Sequence, residues 1–321
     1  MEETDLTRLH ALAREAAHPD GAPSCRCTVD LLADRDDGTV VRHGDLVLKA
    51  HAPGGDPDEL RSRTAVAALP SLTDVLLPPL PVPSSVSPLP APRTPFPAGR
   101  PLTAWPYGTP VDPDDPDAAP WEAAARLLAS LHRVPVPPGL PAMRAPVKAA
   151  LAVARMRRAA PDHPAAAAVL RAWRTVPEPG SGPGAYRALC HGDFHLGQLV
   201  RPGGGPSWRL IDVDDLGLGD PAWDLARPAA WFAAGLLAPE VWARFLGAYE
   251  AAGGPASGGP GADPWSRLDV PARALTVQTA ALAVAKSTVE GRPLDEVEEV
   301  MIDTCARIGT LRTELAPPAS P

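Results

Sequence analysis

Between Pro78 and Pro101 proline recurs so often that no helix or central strand can persist, because each ring removes a backbone donor and fixes φ. The stretch reads as extended connectors crossing the surface of the 321-residue chain. Glycine and proline, 27 and 43 residues, stay just below a low-complexity composition, and 45% hydrophobic residues suffice for a packed core. Proline is punctuation here, within a chain that folds.

Before that stretch, Leu6, Leu9, Leu12 and Ala13 recur at helical spacing after Thr4, which predicts a helix over residues 5–17. From Cys27 to Ala50 the chain is rich in Val, Leu and Thr and is broken at Arg35–Gly38 and His43–Asp45, the pattern of a three-stranded meander with tight turns. Asp56 as N-cap, Pro57 at the first helical position and Glu59 three residues after the cap announce a helix to about Leu69, stopped by Pro70.

After the proline stretch, Gly99–Gly108 reads as an edge strand running into a hinge, so the expected boundary lies near residue 108, with domains 1–108 and 109–321. Helical spacing returns at Trp121–His132 and Val147–Trp173, the latter broken at Pro161–Pro164. Strands are expected around Tyr186–Cys190, Gln198–Val200 and Trp208–Ile211, and helices from Pro221 to about Ala252 and from Pro271 to about Thr313. No internal period emerges, which excludes solenoids and propellers.

With 38 acidic against 30 basic residues the formal charge is -8, which argues against a nucleic-acid partner. No run approaches 18 apolar residues and the opening Met1–Asp5 has no signal-peptide pattern, so the expectation is a cytoplasmic protein without a membrane partner. Cys25, Cys27, Cys190 and Cys305 are too few and scattered for a disulfide framework, and Cys25-Arg-Cys27 lacks a second metal-spaced pair. Buried or idle thiols are the expectation. Lysine occurs three times, as Lys49, Lys148 and Lys286, so a lysine kept inside a strand invites a question.

Chemistry-bearing residues concentrate in His191-Gly-Asp-Phe-His-Leu-Gly-Gln198, then Ile211-Asp-Val-Asp-Asp215, then Gly219-Asp-Pro-Ala-Trp-Asp-Leu225. Phosphoryl transfer needs a carboxylate to orient a hydroxyl and metal ions to neutralise phosphate charge, which is what acids and amide oxygens supply. In this order within 35 residues, the segments resemble the aminoglycoside phosphotransferase and choline kinase-like family, relatives of the protein kinases with an HGDxxxxN, ID and GDPxxDLA pattern.

The resemblance implies an α+β, two-lobed protein kinase-like fold, with a small antiparallel β-sheet N-lobe and a larger, mainly helical C-lobe. It implies a small-molecule kinase moving the γ-phosphate of ATP or GTP, with Mg²⁺, to a hydroxyl of an aminoglycoside-like antibiotic or another polyhydroxylated metabolite. By the same resemblance Asp193 accepts the hydroxyl proton, His191 braces the loop, Asp212 holds magnesium, and Asp220 and Asp224 hold backbone donors. Gln198 stands where the family has Asn and keeps an oxygen donor at the cost of one methylene; HGDxHLGQ is similar to maltokinase-like relatives. Lys49 matches the strand lysine that contacts nucleotide phosphates, with Leu48 and Ala50 packed around adenine, and Trp105-Pro-Tyr107 matches the adenine-binding hinge. Together these imply that Asp193, Asp212 and Lys49 share one nucleotide and metal site.

Several of these residues carry a second reading. Asp220 is equally an N-cap ahead of Pro221, Trp105 and Tyr107 equally a buried aromatic patch, and Asp214 and Asp215 read as solvated surface acids. The acid run Asp295–Glu299 is either an acceptor lining or a solvated helix face, with Val297 and Val300 turned the other way. The partner of Lys49 is unassigned: the family register gives Thr64, and Glu59 reads as part of a capping box. No G-x-G-x-x-G occurs, Gly38 being the one glycine in the first turn; antibiotic kinases resembling this chain often lack that motif.

Two other functions follow from the same residues. Gln198 and the missing glutamate partner fit a nucleotide-binding module without turnover. His191-x-Asp193-x-His195 resembles a metallophosphoesterase GD motif, but neither an upstream DxH nor a downstream GNH occurs, and the remaining histidines show no ligand spacing.

Overall fold

The computed structural model describes residues 3–21, 24–35, 37–82, 100–177, 187–259 and 261–310. Most of the expected proline connector, residues 83–99, lies outside the described residues, as do Tyr186 and residues 311–313. In chain order the elements are α1 (Glu3–Ala17), β1 (Val29–Arg35), β2 (Gly38–His43), β3 (Leu46–His51), α2 (Pro57–Ala67), β4 (Leu102–Pro106) and β5 (Gly108–Pro110). Then follow α3 (Trp121–His132), α4 (Ala145–Ala159), α5 (Ala166–Trp173), β6 (Ala188–Cys190), β7 (Leu199–Pro202), β8 (Arg209–Leu210) and β9 (Gly217–Gly219). The chain continues through α6 (Ala226–Ala234), α7 (Pro239–Ala251), α8 (Trp265–Glu290) and α9 (Glu296–Ile308). Among the described residues no helix is long and apolar enough to cross a membrane.

The chain divides into two compact units. The first comprises residues 1–119, 137–140 and 197–214, and the second residues 120–136, 141–196 and 215–321.

In the first unit the meander folds as its turns predict, an antiparallel sheet in the order β1-β2-β3-β4. Period-two alternation sends Leu46, Leu48 and Ala50 of β3 to one face, where they are buried with Val41, Leu102, Ala104 and Leu9 and Ala13 of α1. Burial of this face against α1 is a hydrophobic gain that holds the helix on the sheet. Val47 and Lys49 point to the other face, opposite Trp105 and Thr103 of β4. The expected packing of Leu48 and Ala50 around adenine is thereby corrected: both lie under α1, on the face away from Lys49. A second small sheet, β5-β7-β8, positions residues 198–214, with Leu199 opposite Leu210.

Helix α2 starts where its sequence signals place it. The Asp56 carboxylate accepts the N–H groups of Asp58 (2.8 Å) and Glu59 (3.4 Å), and Pro57 opens the first turn. Glu59 lies 3.0 Å from Arg63 one turn on, and the Thr64 hydroxyl donates to the Leu60 carbonyl. The helix therefore carries no counter-charge for Lys49.

In the second unit, α4, α5, α8 and α9 bury Val153, Met156, Val169, Val277, Val284, Met301 and Cys305 in one cluster. Helix α8 begins at Trp265, six residues before the expected start, with Pro271 inside it. Proline so close to the N-terminus forfeits only the bond to the Arg267 carbonyl, and burial of Leu268, Ala272 and Ala274 carries the helix through it. The acid run is a helix start: Asp295 and Glu298 form a reciprocal capping box for α9, and Glu298 is held by Arg292 at 2.6 Å. Val297 is exposed rather than turned inward, and the buried stripe of α9 is Met301, Ile302, Cys305 and Ile308.

His18 and His43 meet Cys25 and Cys27, although their sequence spacing gives no sign of it.

Candidate functional site

In the first unit, the sheet face carrying Lys49 meets the turn that follows β8. Lys49 Nζ lies 2.8 Å from Asp212 Oδ1 and 3.0 Å from Asp214 Oδ2. Burial pushes the ammonium toward its neutral form, but the two carboxylates outweigh it and hold its pKa above the ordinary lysine value. The partners that α2 does not provide come from a turn 163 residues later in sequence.

Asp214 is no solvated surface acid, which corrects the expectation. Its carboxylate also takes His51 Nδ1 at 3.0 Å, and His51 Nε2 lies 2.8 Å from the Thr103 hydroxyl, to which Trp105 Nε1–H donates at 2.9 Å. An ionised carboxylate only accepts, so His51 Nδ1 donates to Asp214, and the Thr103 hydroxyl oxygen accepts from Trp105. Burial raises the pKa of Asp214, but the His51 bond and the Lys49 charge prevail and hold it well below the usual carboxylate range.

Asp212 has φ of 63°, the left-handed region, and is the single non-glycine residue with positive φ among the described residues. Aspartate tolerates this conformation better than most side chains, and such outliers persist where surrounding structure fixes them, often at functional sites. Its side chain is 35% exposed, leaving part of the carboxylate open. Gln198 is buried and its carbonyl accepts the Ile211 N–H at 2.9 Å, which places Gln198 beside the residue preceding Asp212. Tyr107 leaves β4 with its N–H on the Asp45 carbonyl (2.7 Å) and Arg42 stacked 3.5 Å over its ring.

The second unit builds the loop 191–196 around one buried acid. Asp224 accepts the backbone N–H groups of His191 (2.6 Å) and Gly192 (2.7 Å) and pairs with His132 Nε2 (2.9 Å), whose other nitrogen meets Tyr249 Oη at 2.8 Å. Burial opposes the charge of Asp224, but the His132 bond, the nearby histidines and the backbone donors keep its pKa below the ordinary value. His191 is fully buried and its Nδ1 accepts the Asp193 N–H at 3.4 Å. Gly192 has φ of 83°, and a Cβ there would run into the Asp215 carbonyl oxygen, so only glycine makes this turn. Asp220 caps the short helical turn 221–223 through the Ala222 N–H (3.0 Å) and is held by Arg267 at 2.8 Å.

Asp193, at the apex of this loop, is flanked by cations. Lys148 of α4 lies 2.9 Å from Asp193 and 2.6 Å from Asp215, and Arg227 of α6 lies 3.4 Å from Asp193. Burial pushes the Asp193 carboxyl up, but Lys148, Arg227 and His195 bring it below the ordinary value. At Asp215 burial wins, and its pKa is raised despite Lys148. Asp215 is thus a buried partner and not a surface acid. A small cleft opens at Asp193, lined also by Lys148, Trp223, Arg227 and Gln278.

Of the sequence-predicted residues, Lys49 and Asp212 are joined directly, while Asp193, His191, Asp220 and Asp224 sit together in the second unit. Lys148, His51, Asp214, Asp215 and Arg227 were not singled out in favour of a role. Only the rarity of lysine pointed to Lys148.

The phosphotransferase enzyme family model matches residues 32–265. Among solved structures, a choline/ethanolamine kinase family protein from Mesorhizobium loti is 16% identical with a TM-score of 0.57, over 96% of this chain and 95% of that one. A macrolide 2'-phosphotransferase from Brachybacterium faecium is 18% identical with a TM-score of 0.51, over 95% of this chain and 100% of that one. A spectinomycin phosphotransferase in complex with ADP and spectinomycin is 13% identical with a TM-score of 0.57, over 88% of this chain and 92% of that one. No curated protein matches the sequence. These likenesses agree with the small antiparallel sheet and the mainly helical part as the α+β kinase-like fold, and the match across most of the chain shows that it belongs to the phosphotransferase enzyme family.

Proposed function

We propose that this chain transfers the γ-phosphoryl group of ATP or GTP to a hydroxyl of a small polyhydroxylated molecule of the aminoglycoside-like kind. The observation that carries the reading is the flanked carboxylate at Asp193, held ionised at the mouth of a cleft by Lys148 and Arg227. An ionised, positioned carboxylate is what a hydroxyl nucleophile needs to align and to lose its proton. His191 and Asp224 are positioning residues, since they act on the loop backbone. Asp220 supports the turn that follows.

The residues of the first unit fit a nucleotide with its metal. Asp212 and Gln198 offer the hard oxygen donors that magnesium takes, and Lys49 offers a cation for phosphate oxygens. When bound, the magnesium nucleotide supplies the phosphoryl group and neutralises its charge. Val47 and Trp105 share the sheet face of Lys49 and are the apolar surface available to a base, with Tyr107 at the following hinge. Choline kinases and antibiotic phosphotransferases share this fold, and an acidic chain suits a cationic acceptor.

The test is release of ADP from MgATP, or of GDP from MgGTP, by the full chain against a panel of aminoglycosides, macrolides, choline and free sugars. Acceptor-dependent release with one class supports the reading. Tight nucleotide binding with no release for any acceptor would sink it in favour of a module without turnover.

A second prediction separates Lys148 from a merely structural role. Lys148→Met removes the cation that holds Asp193 ionised against burial, so the Asp193 pKa rises. The acid limb of the kcat/KM profile is then expected to move to higher pH, with little change on the alkaline side. An acid limb that stays in place means that Lys148 does not act on Asp193.

A further inference from the structure

On the α1 side of the sheet, away from Lys49, four soft or borderline donors from three separate chain segments converge. His18 follows the last turn of α1, Cys25 and Cys27 lie in the connection to β1, and His43 ends β2 on the face shared with Val41 and Leu46. One ligand atom from each of the four lies within 4.8 Å of the others. Cys25 Sγ is 3.2 Å from His43 Nε2, Cys27 Sγ is 3.4 Å from His18 Nε2, and the two imidazoles meet edge to face.

The two sulfur–nitrogen distances can be compared with those of a coordination shell. With zinc–sulfur near 2.3 Å and zinc–nitrogen near 2.0–2.1 Å, a tetrahedron has sulfur–nitrogen edges of about 3.5 Å. The Cys25–His43 and Cys27–His18 pairs fall close to that value, and the remaining ligand atoms lie within 4.8 Å of one another. His43 is buried and the other three are partly buried, so the shell is sheltered without being closed to an entering ion. The β2–β3 turn makes room for it: Gly44 has φ of 61° and its N–H is bound by the Thr28 carbonyl, and a Cβ there would press on Cys27 Sγ at 3.3 Å.

We propose that His18, Cys25, Cys27 and His43 form a tetrahedral zinc site that fastens the end of α1 to the β2–β3 hairpin. Two thiolates and two neutral imidazoles fill all four positions, the mark of a structural site as opposed to a catalytic one with an open position. The thiolate pair also selects zinc over magnesium, which takes oxygen ligands. Binding balances as one Zn²⁺ exchanged for the two thiol protons, with no change of oxidation state. The site lies on the face of the sheet opposite Lys49 and is independent of the phosphotransfer chemistry.

The full-length chain, purified from zinc-supplemented cells and dialysed without chelator, is expected to hold about one zinc per chain by elemental analysis, falling at least tenfold in Cys25→Ser and in His43→Asn. Should those variants fail to fold, chelator-stripped wild-type chain titrated with Co²⁺ keeps the question decidable. The expected result is a thiolate-to-metal charge-transfer band with tetrahedral d–d absorption, saturating at one equivalent and bleached by zinc, with release of about two protons per zinc in weak buffer near neutral pH. Zinc should protect Cys25 and Cys27, but not the buried Cys190 and Cys305, from a thiol reagent. Wild-type chain that retains no zinc, shows no thiolate band with Co²⁺ and reacts at Cys25 and Cys27 equally with and without zinc overturns the proposal. So does a purified chain in which these two thiols are oxidised to each other under non-oxidising preparation.

Discussion

Replacing Asp193 with asparagine is expected to lower kcat for phosphoryl transfer by about 10²–10⁴-fold, the usual contribution of a positioned base. Asparagine has the same shape but cannot take a proton, and Lys148 would still be bound by Asp215 at 2.6 Å, so the loop should hold. Nucleotide affinity, measured by titration calorimetry, should change little, because Lys49 and Asp212 belong to the other unit and keep their mutual contact. A variant that turns over within tenfold of the wild type excludes Asp193 as the base. Equal losses in nucleotide affinity and turnover would assign Asp193 to nucleotide binding instead.

The largest effect on stability is expected at Asp224. Alanine there leaves the N–H groups of His191 and Gly192 buried without acceptors and strips His132 of its counter-group. Breaking a buried pair of this kind costs about 3–5 kcal/mol, read as a fall in the urea midpoint. The linkage has a definite sign. The Asp224 carboxyl is held below the ordinary aspartate value in the folded chain, so its contribution is fully present above about pH 3.9, the unfolded value. It is lost as pH falls below that, through the lower folded pKa. The wild type should therefore lose more stability than Asp224→Ala as pH falls below about 3.9. A variant with an unchanged midpoint would show that the loop backbone finds other acceptors.

How much of this was legible in sequence depended on the reach of each signal. The meander, the Asp56–Pro57 start of α2 and the Trp121–His132 helix rest on caps, turns and periodicity that act within a few residues, and the structure forms them where those signals stand. Pro271 misled by the same local logic. It reads as a first-turn proline, but the neighbouring apolar residues bury the preceding turn as well, and tertiary packing outweighed one missing hydrogen bond. The motif segments 191–198, 211–215 and 219–225 were legible as chemistry because their residues are contiguous. Partners were not. Asp214 and Asp215 read as surface acids since most adjacent acids are solvated, and nothing near them in sequence names Lys49, His51 or Lys148. Leu48 and Ala50 were placed near adenine although strand alternation already puts them on the face opposite Lys49. Histidines 18 and 43 lie 25 residues apart and meet two cysteines only once α1 has packed on the sheet.

The origin of the Lys49 counter-charges governs how such a protein can be regulated. In protein kinases the strand lysine is matched by a glutamate on a mobile helix, so swinging that helix switches the machinery off. Here α2 devotes Glu59 to its own Arg63, and the anions facing the ammonium, Asp212 and Asp214, are two residues apart on a single turn. Moving α2 breaks no charge pair of Lys49. The helix following the lysine strand therefore lacks, among the described residues, the charge handle on that lysine by which a protein kinase is switched.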